Sequence, residues 1–243
     1  MQLLPTDPAC LHRPSPAPPR FQEPAVSDRL VFYTHPMSRG RMVRWMLEEC
    51  RASYDTVVLD YQGGMKTPAF LALNPMGKVP TLQHGPLVVT ETAAILCYLA
   101  DLHAEEKLAP PVNDARRGSY YRWLFFVAGP MEAAVTGKAL GLLAPPDKAG
   151  MVGYGSHDDV MRTLATLLEQ LRQQGPFVCG QDFSAADLYL ASQLHWGMQF
   201  GTVARRGLFE DYVQLCTDRP AYAHAAALDE AELAHLRGVH DPT

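Results

Sequence analysis

The sequence predicts an α/β domain of order β-α-β-α-β-β-α followed by an all-helical bundle. Three observations predict it. Strand-like and helix-like segments alternate only over residues 29–104. A strand–helix–strand unit there implies a right-handed crossover and a parallel pair, and the two short strands around His84-Gly85-Pro86 add an antiparallel hairpin. From residue 113 onward every periodic segment has helical spacing.

The elements follow in order. Residues 1–28 carry seven prolines, which block regular structure and predict an extended, solvated tail. That stretch has no continuous apolar core of the kind a secretory signal needs. RLVFYTH, from Arg29, is β-branched and aromatic and reads as a strand. In SRGRMVRWMLEECR, Val43, Met46, Leu47 and Cys50 recur at i, i+3, i+4 and i+7, with Arg41, Arg44, Glu48 and Arg51 off the stripe, so it reads as a helix. YDTVVLDY is a second strand, and KTPAFLALN is a short helix that ends at Asn74-Pro75. TLQHGPLVV gives the hairpin. ETAAILCYLADLH is apolar nearly all round, so both of its sides must be covered.

Residues 105–112 read as a linker, and residues 113–243 as the helical domain. GSYYRWLFFVAGPMEAAVTGKAL is a long aromatic-rich helical segment with a bend expected at Gly129-Pro130. Met161, Leu164, Leu167, Leu168 and Leu171 make the stripe of a further helix. In DFSAADLYLASQLHW, Ser184 and Asp187 have capping-box spacing, and Phe183 and Leu188 sit where a hydrophobic staple packs. Two shorter helices are expected after it.

Composition narrows the function. With 47% hydrophobic and 19% charged residues, the 243-residue chain can bury a sizeable core. A formal net charge of −5 offers no attraction for nucleic acid or an anionic membrane, and no apolar run spans a bilayer. A cytoplasmic protein with neither partner is expected. The five cysteines are odd in number, widely spaced and without a CxxC, and the nine histidines are scattered, so neither a disulfide framework nor a metal site is expected.

Three stretches carry chemistry. In NPMGKVPTL, a cis bond before Pro80 would turn Val79 outward, leaving its N–H and C=O free to pair with an extended peptide; an ordinary proline at a strand start is the plainer alternative. In TETAAI, a helix start offers free N–H groups and the Thr92 hydroxyl to a carboxylate, while Glu91 offers a charge to an ammonium. That combination suits an amino-acid head group, although simple capping explains it too. In FYTHPMSRGRMVRW, Ser38 stands at a helix start, either as an N-cap or as a hydroxyl donor to a ligand thiolate. Arg39 and Arg41 lie close by, and one of them is expected to add positive potential near the thiolate.

Taken together and in order, the strand with Tyr33 and Ser38, Val79-Pro80, and Glu91-Thr92 resemble the cytosolic glutathione S-transferases. GQDFSAADLYLA, residues 180–191, looks like the capped core helix of that family. The resemblance covers roughly residues 29 to 230 and implies a thioredoxin-like first domain. Ser38 looks like the thiol-activating residue of the bacterial serine-type, theta- or zeta-like classes. Val79, before cis Pro80, matches the position that pairs with the cysteinyl part of glutathione. Glu91 and Thr92 match the γ-glutamyl contacts, and Lys78 is within reach of the glycyl carboxylate. Tyr120, Trp123 and Phe126 are candidates to line the second-substrate pocket, with core packing as the alternative.

The resemblance implies glutathione as co-substrate, no metal, a small electrophile as second substrate, and a homodimer. Ser38-Arg39-Gly40 departs from the Ser-Ser-Cys common in the zeta class, which argues against maleylacetoacetate isomerisation. No cysteine occurs from Phe32 to Val43, which argues against thiol-exchange chemistry. The rival reading keeps the fold and makes the protein a binding module without turnover.

Overall fold

A computed structural model describes residues 29–240; the proline-rich segment 1–28 and residues 241–243 lie outside the described residues. The first domain is built on a four-stranded sheet of order β2-β1-β3-β4. Strands β1 (Leu30–Thr34) and β2 (Tyr54–Val58) are parallel, as the crossover through α1 (Gly40–Glu49) requires. β3 (Thr81–His84) and β4 (Leu87–Thr90) form the hairpin, with β3 antiparallel to β1. Helix α2 (Pro68–Leu73) starts with the Thr67 side chain accepting the Phe70 N–H. The fold class read from the sequence is the one observed.

Side-chain alternation sets the layers. Leu30, Phe32 and Thr34 point inward along β1, and α1 lays Met42, Val43, Met46 and Leu47 into the same core. Helix α3 (Thr92–Leu102) buries Ile95, Leu96 and Leu99 completely. It is covered by the sheet on one side and by helix α7 (Ala185–Gln199) on the other, as its all-round apolar character demands.

The helical domain begins with α4 (Arg116–Phe126). Where a bend is expected at Gly129-Pro130 the chain makes a π-helical turn, Val127–Met131, and continues as α5 (Glu132–Leu140). The wider turn accommodates Pro130, which has no N–H to give to the helical ladder. Helix α6 (His157–Gln174) carries the leucine stripe, and α7 forms the domain's centre.

The expectation of two shorter final helices is corrected. α8 (Gly207–Thr217) has 11 residues, but α9 (Pro220–His240) has 21 and is the longest helix among the described residues. Ala225 and Asp229 are its only buried positions among those described. It presents no apolar stripe to read because charged side chains hold it to α1. Arg219 binds Glu49, His224 meets Glu48, Asp229 and Glu232 bind Arg44, and Glu230 binds Arg41. The two helices therefore run antiparallel, and the middle of α9 lies beside the start of α1. No helix among the described residues is long and apolar enough to cross a membrane.

Candidate functional site

Strand register brings the sequence-predicted residues to one end of the sheet. Tyr33 at the end of β1 stands opposite Thr81, which stands opposite Thr90 at the end of β4. Neighbouring strands are about 4.8 Å apart. The loop after β1 carries Ser38, the turn before β3 carries Val79, and the step after β4 carries Glu91. All three therefore leave adjacent strands at the same edge.

The loop from His35 to Arg39 is tied down at each carbonyl. The His35 carbonyl accepts the Ser38 N–H at 2.9 Å and the Ser38 hydroxyl at 2.7 Å. The Pro36 carbonyl accepts from Arg41 Nε, and the Met37 carbonyl from the Tyr61 hydroxyl at 3.1 Å. His35 Nδ1 accepts the Met37 N–H at 3.0 Å, and its ring lies 4.2 Å from that of Tyr61. Burial lowers the His35 pKa against the opposing charge of Asp60, in keeping with an unprotonated, accepting Nδ1.

Ser38 is buried, and its Oγ accepts the Gly40 N–H at 2.9 Å. Arg39 occupies the N-cap position of α1, so Ser38 serves the helix from one residue earlier than expected. The Arg39 N–H takes no partner among the described residues. Position 40 must be glycine for packing: a Cβ there would sit 1.9 Å from Thr34 Oγ1 and 2.9 Å from Ser38 Oγ.

The Val79-Pro80 bond is cis. Asn74 fixes the turn that leads to it, with Nδ2 donating to the Lys78 carbonyl at 2.8 Å and to Thr81 Oγ1 at 3.2 Å, while its Oδ1 accepts the Met76 N–H. The N–H and C=O of Val79 have no partner among the described residues, and Lys78 is exposed. Glu91 takes φ 67°, ψ 122°, a left-handed conformation costly for a side-chain-bearing residue. No side chain caps α3, so its first N–H groups and the hydroxyl of the largely buried Thr92 have no protein partner among the described residues. The Glu91 carboxylate is exposed and unpaired among the described residues.

The arginines beside Ser38 are paired, and two of the three aromatics take the core-packing alternative. Arg39 forms a two-pronged ion pair with Glu132 at the start of α5, and Arg41 pairs with Glu230. Glu132 also accepts from Gln193 Nε2 at 2.6 Å. Both positive charges beside Ser38 are thus neutralised by carboxylates of the helical domain. Tyr120 is fully buried with its hydroxyl on Cys97 Sγ, and Trp123 is 4% exposed, so both belong to the core. Phe126 alone of the three keeps a partly open side.

A groove of about 250 Å³ lies instead beside Met37, lined by Trp196, Phe200, Leu233 and Arg237 and edged by the Arg41–Glu230 pair. Tyr61 and Glu132 escape sequence reasoning because each acts on residues distant in the chain, and Asn74 does so although its partners lie within seven residues, because its place before Pro75 reads only as a helix end. No cluster of three or more metal-ligating residues occurs among the described residues.

Known proteins resemble this chain in sequence and fold. Residues 37–102 match the glutathione S-transferase N-terminal domain model, and residues 155–224 match the C-terminal domain model. The chain is 33% identical over 176 residues to glutathione S-transferase GST-4.5 of Xanthomonas campestris pv. campestris, a match covering 71% of this chain and 84% of that protein. It is 33% identical over 129 residues to glutathione S-transferase GstA of Escherichia coli O157:H7, covering 52% of this chain and 61% of that relative. Among solved structures, the theta-class glutathione S-transferase of Xanthomonas axonopodis pv. citri, with glutathione bound, superposes with a TM-score of 0.65 at 26% identity. That match covers 81% of this chain and 96% of that one.

Proposed function

The chain belongs to the glutathione S-transferase family, and we propose that it binds glutathione across the sheet end and directs its thiolate at a small electrophile. The observation that carries this reading is the set of unpaired groups at one edge: the Val79 N–H and C=O, the uncapped start of α3 with Thr92, and the free Glu91 carboxylate. They match, group by group, what an extended peptide with an amino-acid head requires. Lys78 supplies the cation for the ligand's far carboxylate. The fit needs no metal.

Ser38 performs the activation. In this structure its hydroxyl hydrogen rests on the His35 carbonyl while its oxygen accepts the Gly40 N–H. A hydroxyl rotates freely about its C–O bond. On ligand binding the hydrogen swings to the sulfur, and the Gly40 bond keeps the oxygen in place. The Arg39 N–H adds a second donor. The thiol proton leaves to solvent, and the sulfur lone pair attacks the electrophile as its leaving group departs. A free thiol titrates near ~8.5, and hydroxyl and helix-terminus donors lower it by roughly 1 unit or more. The electrophile lies in the groove beside Met37, since Tyr120 and Trp123 are enclosed.

The test is an ultraviolet titration of glutathione bound to the wild type and to Ser38→Ala. The expected result is a bound thiol titrating well below ~8.5 in the wild type and moving back towards it by about 1–2 units in the variant. Conjugation of 1-chloro-2,4-dinitrobenzene falls with it, by about 10–100-fold at neutral pH. Glutathione bound with an unshifted thiol and no turnover of any electrophile favours the binding-module reading.

The same reading includes a homodimer in the cytosol. Helices α3 and α4, joined by Arg117 to Asp101, expose Leu102, Tyr121 and Phe125, and the described cysteines are free thiols. Sedimentation at twice the 26.8 kDa chain mass is the expected result; a monomer across the micromolar range overturns that part.

A further inference from the structure

Three of the loop carbonyls before Ser38 are held by side or main chains, and one of those holds reaches out of the domain. The Pro36 carbonyl has a single partner, Arg41 Nε, and the same guanidinium reaches Glu230 on α9 through Nη2 at 2.6 Å. Arg41 is the second residue of α1, three residues past Ser38. We propose that Arg41 is a positioning residue for Ser38: its planar fork ties the serine's loop to the last helix of the other domain. This inference rests on the transferase reading of Ser38.

The geometry separates that role from simple docking of α9. α9 is already fixed to α1 by the buried Arg44–Asp229 pair and by Arg44–Glu232, Arg219–Glu49 and His224–Glu48. Glu230 is 61% exposed, so its pair with Arg41 adds little to stability. Loss of Arg41 leaves the Pro36 carbonyl unpartnered in the middle of the loop, although the anchors at His35 and Met37 remain. The loop then keeps its fold through those anchors, but Pro36 and Met37, next to Ser38, lose their tie to α9, and the serine's placement against the sulfur loosens. A guanidinium suits this task because two of its N–H groups, on different nitrogens, serve two acceptors at once from one rigid plane. A lysine ammonium has no such fork.

The consequence reaches function through the thiolate. Ser38 stabilises an anion only when its hydrogen points at the sulfur, so a loosened placement of the serine raises the bound thiol pKa while the peptide contacts at Val79, Glu91 and Thr92 stay intact. The expected signature is a change in kcat and its pH profile with the KM for glutathione nearly constant.

Arg41→Met, Arg41→Lys and Glu230→Gln are compared with wild type and Ser38→Ala by bound-thiol titration, pH–rate profile with 1-chloro-2,4-dinitrobenzene, and thermal melting. Arg41→Met is expected to raise the bound thiol pKa by about 1 unit, which lowers kcat about tenfold at neutral pH. The KM for glutathione stays within about twofold, the Tm stays near wild type, and rate recovers at high pH. Arg41→Lys recovers only part of the loss, and Glu230→Gln, which keeps an acceptor, is the mildest.

An Arg41→Met enzyme with wild-type thiol pKa and pH profile overturns the inference while leaving Ser38 in place. So does a loss of rate that tracks a fall in Tm and does not recover at high pH. A wild-type enzyme whose bound thiol is unshifted removes both this inference and the reading beneath it.

Discussion

Asp187→Ala is expected to lower stability by about 3–5 kcal/mol. Asp187 is fully buried near the start of α7, and its two carboxylate oxygens accept four donors. Oδ2 takes the Ser184 N–H at 2.9 Å and the Ser184 hydroxyl at 2.6 Å; Oδ1 takes the Val178 N–H at 2.7 Å and the Tyr212 hydroxyl at 2.7 Å. One side chain thereby joins the cap of α7, the turn before it, and helix α8. Burial pushes the Asp187 carboxyl up, and the four hydrogen bonds oppose that shift. Alanine leaves four enclosed donors without an acceptor, and each such donor costs about 1–3 kcal/mol if water cannot reach it.

For a chain of this size the loss corresponds to a fall in Tm of roughly 10 °C. Asp187→Asn keeps one acceptor oxygen but turns an NH2 group towards donors already aimed there, so it recovers only part. A melting temperature for Asp187→Ala within 2 °C (about 1 kcal/mol or less) of wild type sinks the argument.

The sequence made most of this fold legible because local patterns and tertiary demands agree. The apolar stripe of α1, the turn at His84-Gly85-Pro86 and the Ser184–Asp187 spacing each report a contact made within a few residues. The residues placed at the sheet edge were legible for the same reason, since Ser38, Val79 and Glu91 each stand at the end of a local element. What stayed hidden depends on partners far along the chain.

Glu132 meets Arg39 across 93 positions, so the neutralisation of that arginine could not be read. Helix α9 buries an aspartate where a helix usually buries leucine, and its length left no apolar period to follow. The aromatic run of α4 suggested a pocket, but aromatic content alone does not distinguish a lining from a core. Tyr120 and Trp123 are covered because α4 packs against α7 at the middle of the bundle.

Arg44→Met should be as damaging as the loss of Asp187, and its damage should depend on pH. Arg44 and Asp229 are 2% and 1% exposed, and Nε donates to Oδ1 at 2.8 Å. Nη2 reaches Glu232 at 2.7 Å, and the guanidinium lies 5.5 Å from the Phe32 ring centre. Removing one partner strands a buried carboxylate, which costs about 3–5 kcal/mol at neutral pH. Burial already pushes the Asp229 carboxyl up to about 6, against the pull of Arg44. Without Arg44 it rises further.

The sign follows from linkage. A carboxyl with a folded pKa above its unfolded value contributes stability that is present below the unfolded pKa and is lost as pH rises through the folded one. The wild-type window runs from 3.8 to about 6, and in the variant its upper edge moves higher. Arg44→Met is therefore expected to lose less stability at about pH 5 than at about pH 8. Replacing both partners, as Arg44→Met with Asp229→Leu, should recover most of the loss, because a well-packed apolar pair of similar volume is often neutral in place of a buried ion pair. Urea unfolding of the single and double variants at both pH values decides it. An equal loss at the two pH values, or a double variant no better than the single, means that the stranded Asp229 charge is not what destabilises the α1–α9 contact.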